Sequence, residues 1–337
     1  MLRLNYIKNK GLRAMHFQTV LKDIVIVSWA LFRVMIPTLI IVKVAQETGL
    51  VDWLNYIFNP ITQLIGLQEE LTIVLTTTIL TNPYAGLMVL ASIGIPEGFT
   101  ISQASVLASF MLFTHAMPVE LAISRQAGAK ILFLALVRIL TATLFCFLVH
   151  YVLVYFNLLQ ELANFTLLEF KPTSNLTGWA VEQIKGLIFV QIVIIVLLFL
   201  LEFLKMIGIE RLIRFVMTPF LRILGVSQNA STIIVVGLTI GLGFGGGLMI
   251  KDVQAGNVEG KDAVNALIFI NLFHSLIEDT SLVMLLGPNL VIILFVRAIF
   301  VLFIVYLLIN LLKITPDWIF KKFVLNEKAL GLKSQNT

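Results

Sequence analysis

Two histidines lie deep in apolar runs beside carboxylates. His115 sits in SFMLFTHAMPVELAISRQ, with Pro118 and Glu120 just after it. His274 sits in INLFHSLIEDTSLVML, followed by Glu278, Asp279 and Thr280. Imidazole is the side chain that exchanges protons near neutral pH, and imidazole with carboxylate is a nitrogen–oxygen set that suits several divalent cations. An ionisable group inside a membrane is costly and by default faces a cavity or another such group. His115, His274, Glu278 and Asp279 are therefore candidate ligands of a divalent cation. Together with Glu120, they are also candidate contacts of a small polar or ionic solute. The spacing of four puts Glu278 and His274 on one face of the helix expected over 262–286. The competing reading is that the histidines only hydrogen-bond across helices and fix packing. Asn82, Thr81, Asn271, Gly243 and Gly245 are expected to line the same space. Arg138 and Arg297 are expected to pair with carboxylates, and Pro83 and Pro118 to break helices. No resident cofactor is expected beyond a divalent or coupling cation.

The elements that carry these residues must be membrane helices. Of 337 residues, 59% are hydrophobic and 13% charged, with a mean hydropathy of +0.99. Soluble domains are about half apolar and a quarter charged, so a soluble, disordered or fibrous chain is excluded and the apolar surplus must face lipid. The net charge of +5 reads as membrane topology, with no nucleic-acid partner. The lone Cys146 cannot form an internal disulfide. The basic, amphipathic start MLRLNYIKNKGLRAMHF runs into a span too long for a signal-peptide core. No zinc-protease HExxH, Walker sequence or nucleophile elbow is present, and no enzymatic activity is expected. Gly241-Leu-Gly243-Phe-Gly245-Gly246 matches the dinucleotide fingerprint in letters only, since no strand precedes it.

Six segments are long enough to span about 30 Å of hydrocarbon: 22–45, 101–124, 130–157, 184–204, 262–286 and 290–313. Two further apolar stretches, 69–95 and 228–250, have helix-breaking centres, Asn82-Pro83-Tyr84-Ala85-Gly86 and the glycines from 241 to 247. Each half is too short to cross alone, which suits re-entrant hairpins. With both hairpins re-entrant and the N-terminus inside, 18 of the 24 Lys and Arg fall on the cytoplasmic side, as the positive-inside rule favours. The amphipathic stretches 50–66 and 209–225, each with a mid-segment Pro and a final Gly, read as interfacial helices.

A shift of 159 residues places Pro60 on Pro219, Gly66 on Gly225, Gly86 on Gly245, His115 on His274, Glu120 on Asp279 and Arg138 on Arg297. The order of elements repeats as well, and three crossings per unit require the second unit to be inverted. The expected fold is an all-α polytopic membrane protein of two inverted repeats, each with an interfacial helix, a re-entrant helical hairpin and three transmembrane helices. Its parts are a cytoplasmic amphipathic N-terminus (1–21), repeat 1 (22–157), an external loop (158–183), inverted repeat 2 (184–313) and a cytoplasmic basic tail (314–337).

This order, with the TNPYAG and GLGFGGG hairpin tips followed by the His115 and His274 spans, resembles the gate, or nucleoside-recognition, domain superfamily. That group includes spore-maturation proteins A and B, the gate regions of ferrous-iron transporters and the core of concentrative nucleoside transporters. The chain carries neither the Gly-Gln-Thr-Glu-type hairpin motif of the nucleoside transporters nor a Cys-containing gate motif, so the resemblance names no substrate. The inverted repeats with broken helices at mid-depth point to a secondary transporter of a small polar or ionic solute, coupled to protons or cations, with alternating access around a midplane site. The expected location is a bacterial inner membrane with both termini cytoplasmic, and the expected partners are the bilayer, the solute and a second copy or another membrane protein. The alternatives are an intramembrane metal-binding protein or metalloenzyme, and a non-transporting membrane partner protein.

Overall fold

The computed structural model describes residues 17–165, 175–327 and 329. The chain is all-helical: among the described residues the only extended pairing is two isolated bridges, Thr100 with Leu162 and Ala129 with Leu325. Helix α1 (Phe17–Glu47) turns at Gly49, whose φ is +74°, into the amphipathic α2 (Leu50–Leu64). Next come α3 (Thr72–Leu80) and α4 (Pro83–Ile93). Asn82 makes the break between them. Its side chain accepts a hydrogen bond from the Ala85 N–H (2.9 Å), and Pro83 opens α4, where a missing N–H costs nothing. Thr100 and Gln103 form a reciprocal capping box at the start of α5 (Ile101–Thr114), which is followed by α6 (Met117–Gln126) and α7 (Ile131–Tyr155).

The second half begins with α8 (Leu176–Met206), which turns at Gly208 into the amphipathic α9 (Ile209–Ile223). Helices α10 (Gln228–Ile240) and α11 (Leu242–Gln254) meet at Gly241 and pack on each other. They lead to α12 (Gly260–Leu272), the short α13 (Glu278–Val283) and, after a π-helical turn at Val291–Val296, α14 (Arg297–Ile314).

Among the described residues five segments are long and apolar enough to cross a membrane: Val20–Ala45, Ile101–Gln126, Ile131–Tyr155, Leu176–Met206 and Val291–Ile314. The outer helices keep large apolar side chains on the surface, as at Trp29 (72% exposed) and Ile299 (69%), which is the pattern lipid contact demands. Helices α5 and α12 are sheathed by the others, with Phe110, Phe113 and Phe269 buried.

The sixth expected span, 262–286, is not one helix. It stops at Leu272, runs irregularly through Phe273–Ile277 and restarts at Glu278. No proline causes this. The N–H groups of Ser275 and Leu276 donate instead to the carbonyls of Gly237 (3.3 Å), which also accepts from the capping Gly241 N–H, and Leu238 (2.9 Å), in the last turn of α10, where a helix leaves carbonyls to be satisfied from outside. The Ile101–Gln126 segment breaks in the same way at His115–Ala116, with the Ala116 N–H donating to Thr78 of α3 (3.1 Å). Pro118 lies just past that break, in the first turn of α6.

Helix α8 starts eight residues before the expected 184 and takes up the end of the expected loop 158–183. Within that loop 166–174 lies outside the described residues, as does 1–16 of the expected N-terminal segment; 17–21 belongs to α1. The tail is helical through 317–324 and docks on the α6–α7 turn. There the Lys130 N–H donates to the Val324 carbonyl (2.8 Å) and the Asn326 N–H to that of Gly128 (2.8 Å). Residues 328 and 330–337 lie outside the described residues.

Candidate functional site

The two broken spans meet at their breaks. His115 ends α5, and its Nδ1 is 3.0 Å from the Met111 carbonyl; His274 lies just beyond α12, with Nδ1 2.9 Å from the Ile270 carbonyl. A carbonyl oxygen only accepts, so both Nδ1 atoms carry a proton. The other ring nitrogens point at each other, Nε2 to Nε2 at 2.9 Å, with ring centroids 4.8 Å apart. Both side chains are buried. Two neutral rings with protonated Nδ1 would present only lone pairs at this contact. It therefore requires a positive species between the rings, either a proton or a cation.

Two carboxylates flank the pair. Glu120 Oε1 is 2.9 Å from His274 Nε2 and 3.6 Å from His115 Nε2. Asp279 Oδ2 is 3.2 Å from His115 Nε2 but makes no hydrogen bond among the described residues. Each half thus supplies a carboxylate that approaches the other half's histidine: Glu120 reaches His274, and Asp279 reaches His115.

Arg138 holds the first half together. Its Nη1 donates to Glu120 Oε2, its Nε to the Phe113 carbonyl (2.8 Å) and its Nη2 to the His115 carbonyl (2.8 Å). One guanidinium therefore pairs a buried carboxylate and caps the carbonyls that the broken α5 leaves free. Arg297, also buried, sits over the rings of Phe273 (4.9 Å) and Phe113 (5.8 Å). Its Nε and Nη2 have no hydrogen-bond partner among the described residues.

The structure thus gathers His115, His274, Glu120, Asp279 and Arg138 into one buried cluster. Glu278 is not on a shared helical face with His274, because the helix is broken between them; it faces Tyr84 of α4. The remaining expected site residues have other contacts. Asn82 caps α4, and the Thr81 hydroxyl donates to the Thr77 carbonyl (2.6 Å). Asn271 ties α12 to α6 through the Ser124 hydroxyl (2.9 Å). Gly243 lies within α11. Gly245 brings α11 against α10, where a Cβ would come within 2.7 Å of the Gly237 backbone. Tyr84 and the carbonyls of Met111 and Ile270 were not among the sequence candidates. A tyrosine in an apolar helix carries no distinguishing signal, and the carbonyls matter only once the helix ends are known.

The chain is 28% identical over 267 residues to an uncharacterized membrane protein, YvoD, of Bacillus subtilis (strain 168). The match takes in 77% of this chain and 83% of that protein. No family model matches the sequence, and no solved structure matches it significantly.

Proposed function

We propose that this integral membrane protein is a secondary transporter of a small ionic or polar solute, with the imidazole pair as its coupling centre. One observation carries the reading: the buried contact of two Nε2 atoms at 2.9 Å, contributed by two separate broken spans. A group that joins two halves of a protein and needs a positive charge to hold them can couple ion binding to their relative movement. Protonation or cation binding favours the closed pair, and loss of the cation leaves two lone pairs opposed.

The architecture proposed with it is two inverted repeats, each holding a re-entrant hairpin. Several features recur at the same offset and support this. Left-handed backbone appears at Gly49 and Gly208, Gly66 and Gly225, Ala116 and Ser275, and Gly128 and Gly287. The amide bonds from Ala116 to Thr78 and from Ser275 to Gly237 are spaced in the same way. The ends of the first hairpin come together, with Gln68 Nε2 donating to the Glu97 carbonyl (3.2 Å). So do those of the second, through Asn229 Nδ2 and the Asn257 carbonyl (3.0 Å). Ends that meet lie on one side of the bilayer. Alternating access would follow from one repeat moving against the other about the midplane. Both termini would be cytoplasmic in a bacterial inner membrane, by the distribution of Lys and Arg.

The test is flux in proteoliposomes under an imposed pH gradient and membrane potential, read for protons with an entrapped dye and for a panel of small ions and polar solutes. Flux above that of empty vesicles, lost in the His115→Ala/His274→Ala double variant, is expected. Flux unchanged in that variant would remove the centre from the mechanism.

A further inference from the structure

We propose that His115, His274, Asp279 and Glu120 form a binding site for one divalent transition-metal cation of the zinc class, which enters in exchange for the proton held between the two imidazoles. The argument is geometric. With zinc–nitrogen and zinc–oxygen bonds near 2.0–2.2 Å, two ligands of a tetrahedral ion lie about 3.3 Å apart. Four of the six ligand–ligand separations in the cluster are 2.9, 2.9, 3.2 and 3.6 Å and bracket that value. His115, His274 and Asp279 each offer a ligand atom within 4.8 Å of the others.

The surroundings match those of ligands rather than of chance neighbours. Each imidazole donates Nδ1–H to a main-chain carbonyl, the outer contact that fixes the tautomer and leaves Nε2 free for a metal. Glu120 is clamped through Oε2 by Arg138, which leaves Oε1 for the centre. Asp279 Oδ2 is a buried carboxylate oxygen that faces His115 Nε2 at 3.2 Å and has no hydrogen bond among the described residues, and such atoms call for a partner. Hard cations such as calcium take six or more oxygens, which this set does not offer. Two imidazoles with two carboxylates suit zinc, cobalt and their neighbours.

Exchange follows from the same atoms. A proton shared by the two Nε2 atoms would hold the lone pairs that a metal needs, so a metal ion entering the protonated pair sends one proton to solvent. The other ionisable groups around the centre are Arg138 on α7, Arg297 on α14, Glu278 on α13 and Tyr84 on α4. The inference names the ion that the transport reading leaves open, but binding can be measured without flux.

The experiment uses the purified full chain in detergent, stripped with a chelator and titrated with zinc or cobalt chloride alone. About one metal per chain is expected, with about one proton released per metal in weakly buffered solution. His115→Gln and His274→Gln should each weaken binding by more than about 100-fold, beyond the 10–100-fold typical of losing an outer contact. His150→Gln, which removes a histidine far from the centre in sequence, should bind as the parent does. Zinc-edge X-ray absorption on the parent protein should count two imidazoles, which keeps the test independent of whether a variant folds. No stoichiometric metal, or a bound metal with fewer than two imidazoles, would overturn the proposal. Metal bound without flux would spare the site and end the transport reading; flux without metal binding would do the reverse.

Discussion

Two buried arginines 159 residues apart, Arg138 and Arg297, differ in how their donors are satisfied. Arg138 spends its donors on Glu120 and two main-chain carbonyls. Arg297, at the equivalent place 159 residues later, lies over two aromatic rings with Nε and Nη2 unpartnered among the described residues. The carboxylate opposite differs by one methylene: Glu120 spans from Arg138 to His274, whereas Asp279 reaches His115 and, among the described residues, makes no hydrogen bond through Oδ2. Close by, Asn271 Oδ1 and Thr280 Oγ1 also lack a partner among the described residues. Unpaired buried groups cost free energy. Around the centre, Arg138 and Glu120 thus form a closed network, while Arg297 and Asp279 keep polar atoms for a further partner or another conformation.

The largest effects are expected from removing each arginine in turn. Arg138→Met strands the Glu120 carboxylate and uncaps two carbonyls, and should cost about 3–5 kcal/mol, as for loss of one partner of a buried pair. Arg297→Met loses cation–π contact of about 2 kcal/mol but relieves orphan donors at about 1–3 kcal/mol, so its net effect should be under about 1 kcal/mol. Reversible denaturation in mixed micelles measures both, and equal losses at the two positions would erase the asymmetry. A smaller effect is expected from Asp279→Glu. The added methylene gives the carboxylate the reach that Glu120 has, and pairing with Arg297 should stabilise by about 1.5–3 kcal/mol, the range for charged hydrogen bonds. Destabilisation in the same assay would mean that Arg297 is held away by its rings.

The paired glycines sharpen the contrast further. At Gly245 a Cβ would meet the Gly237 backbone, which can yield only if α10 and α11 separate. At Gly86 it would meet the Thr78 hydroxyl, which can turn away only by giving up its hydrogen bond to the Val74 carbonyl (2.8 Å), about 0.5–1.5 kcal/mol. Gly245→Ala should therefore cost about 1–3 kcal/mol as overpacking does, and Gly86→Ala clearly less, by the same denaturation measurement.

The smallest effect lies outside both networks. Lys261 bridges Asp317 at 2.9 Å on the surface. The hydrogen bond from Lys261, with its charge, holds the Asp317 carboxyl below the ordinary value. A depressed carboxylate contributes stability above its unfolded pKa, and this is lost as pH falls through the lower folded value. Asp317→Asn should lower the melting temperature slightly at neutral pH. The difference should close in acid, which thermal scans at the two pH values would show.

Much of the site was legible. The offset of 159 singled out His115 with His274 and Glu120 with Asp279 from letters alone, and Pro118 marked the first broken span. The second break had no such mark. HSLIEDTS holds neither proline nor glycine, so 262–286 read as one helix and Glu278 as a neighbour of His274. Amides taken up by the end of α10 decide otherwise. The extra turns of α8 were hidden because a polar helix start next to a loop has no apolar signal.

That the chain lives in a membrane, and which rare ionisable residues recur, could be read from the letters, because hydropathy and spacing are local properties. Folding set the rest: Glu120 rather than Glu278 meets His274, both Nδ1 atoms are tied to carbonyls so that the two Nε2 atoms face each other, and Arg138 pairs with a carboxylate while Arg297 lies over aromatic rings. These are relations between segments far apart in the chain, set by which helix end finds which carbonyl, and no local pattern encodes them.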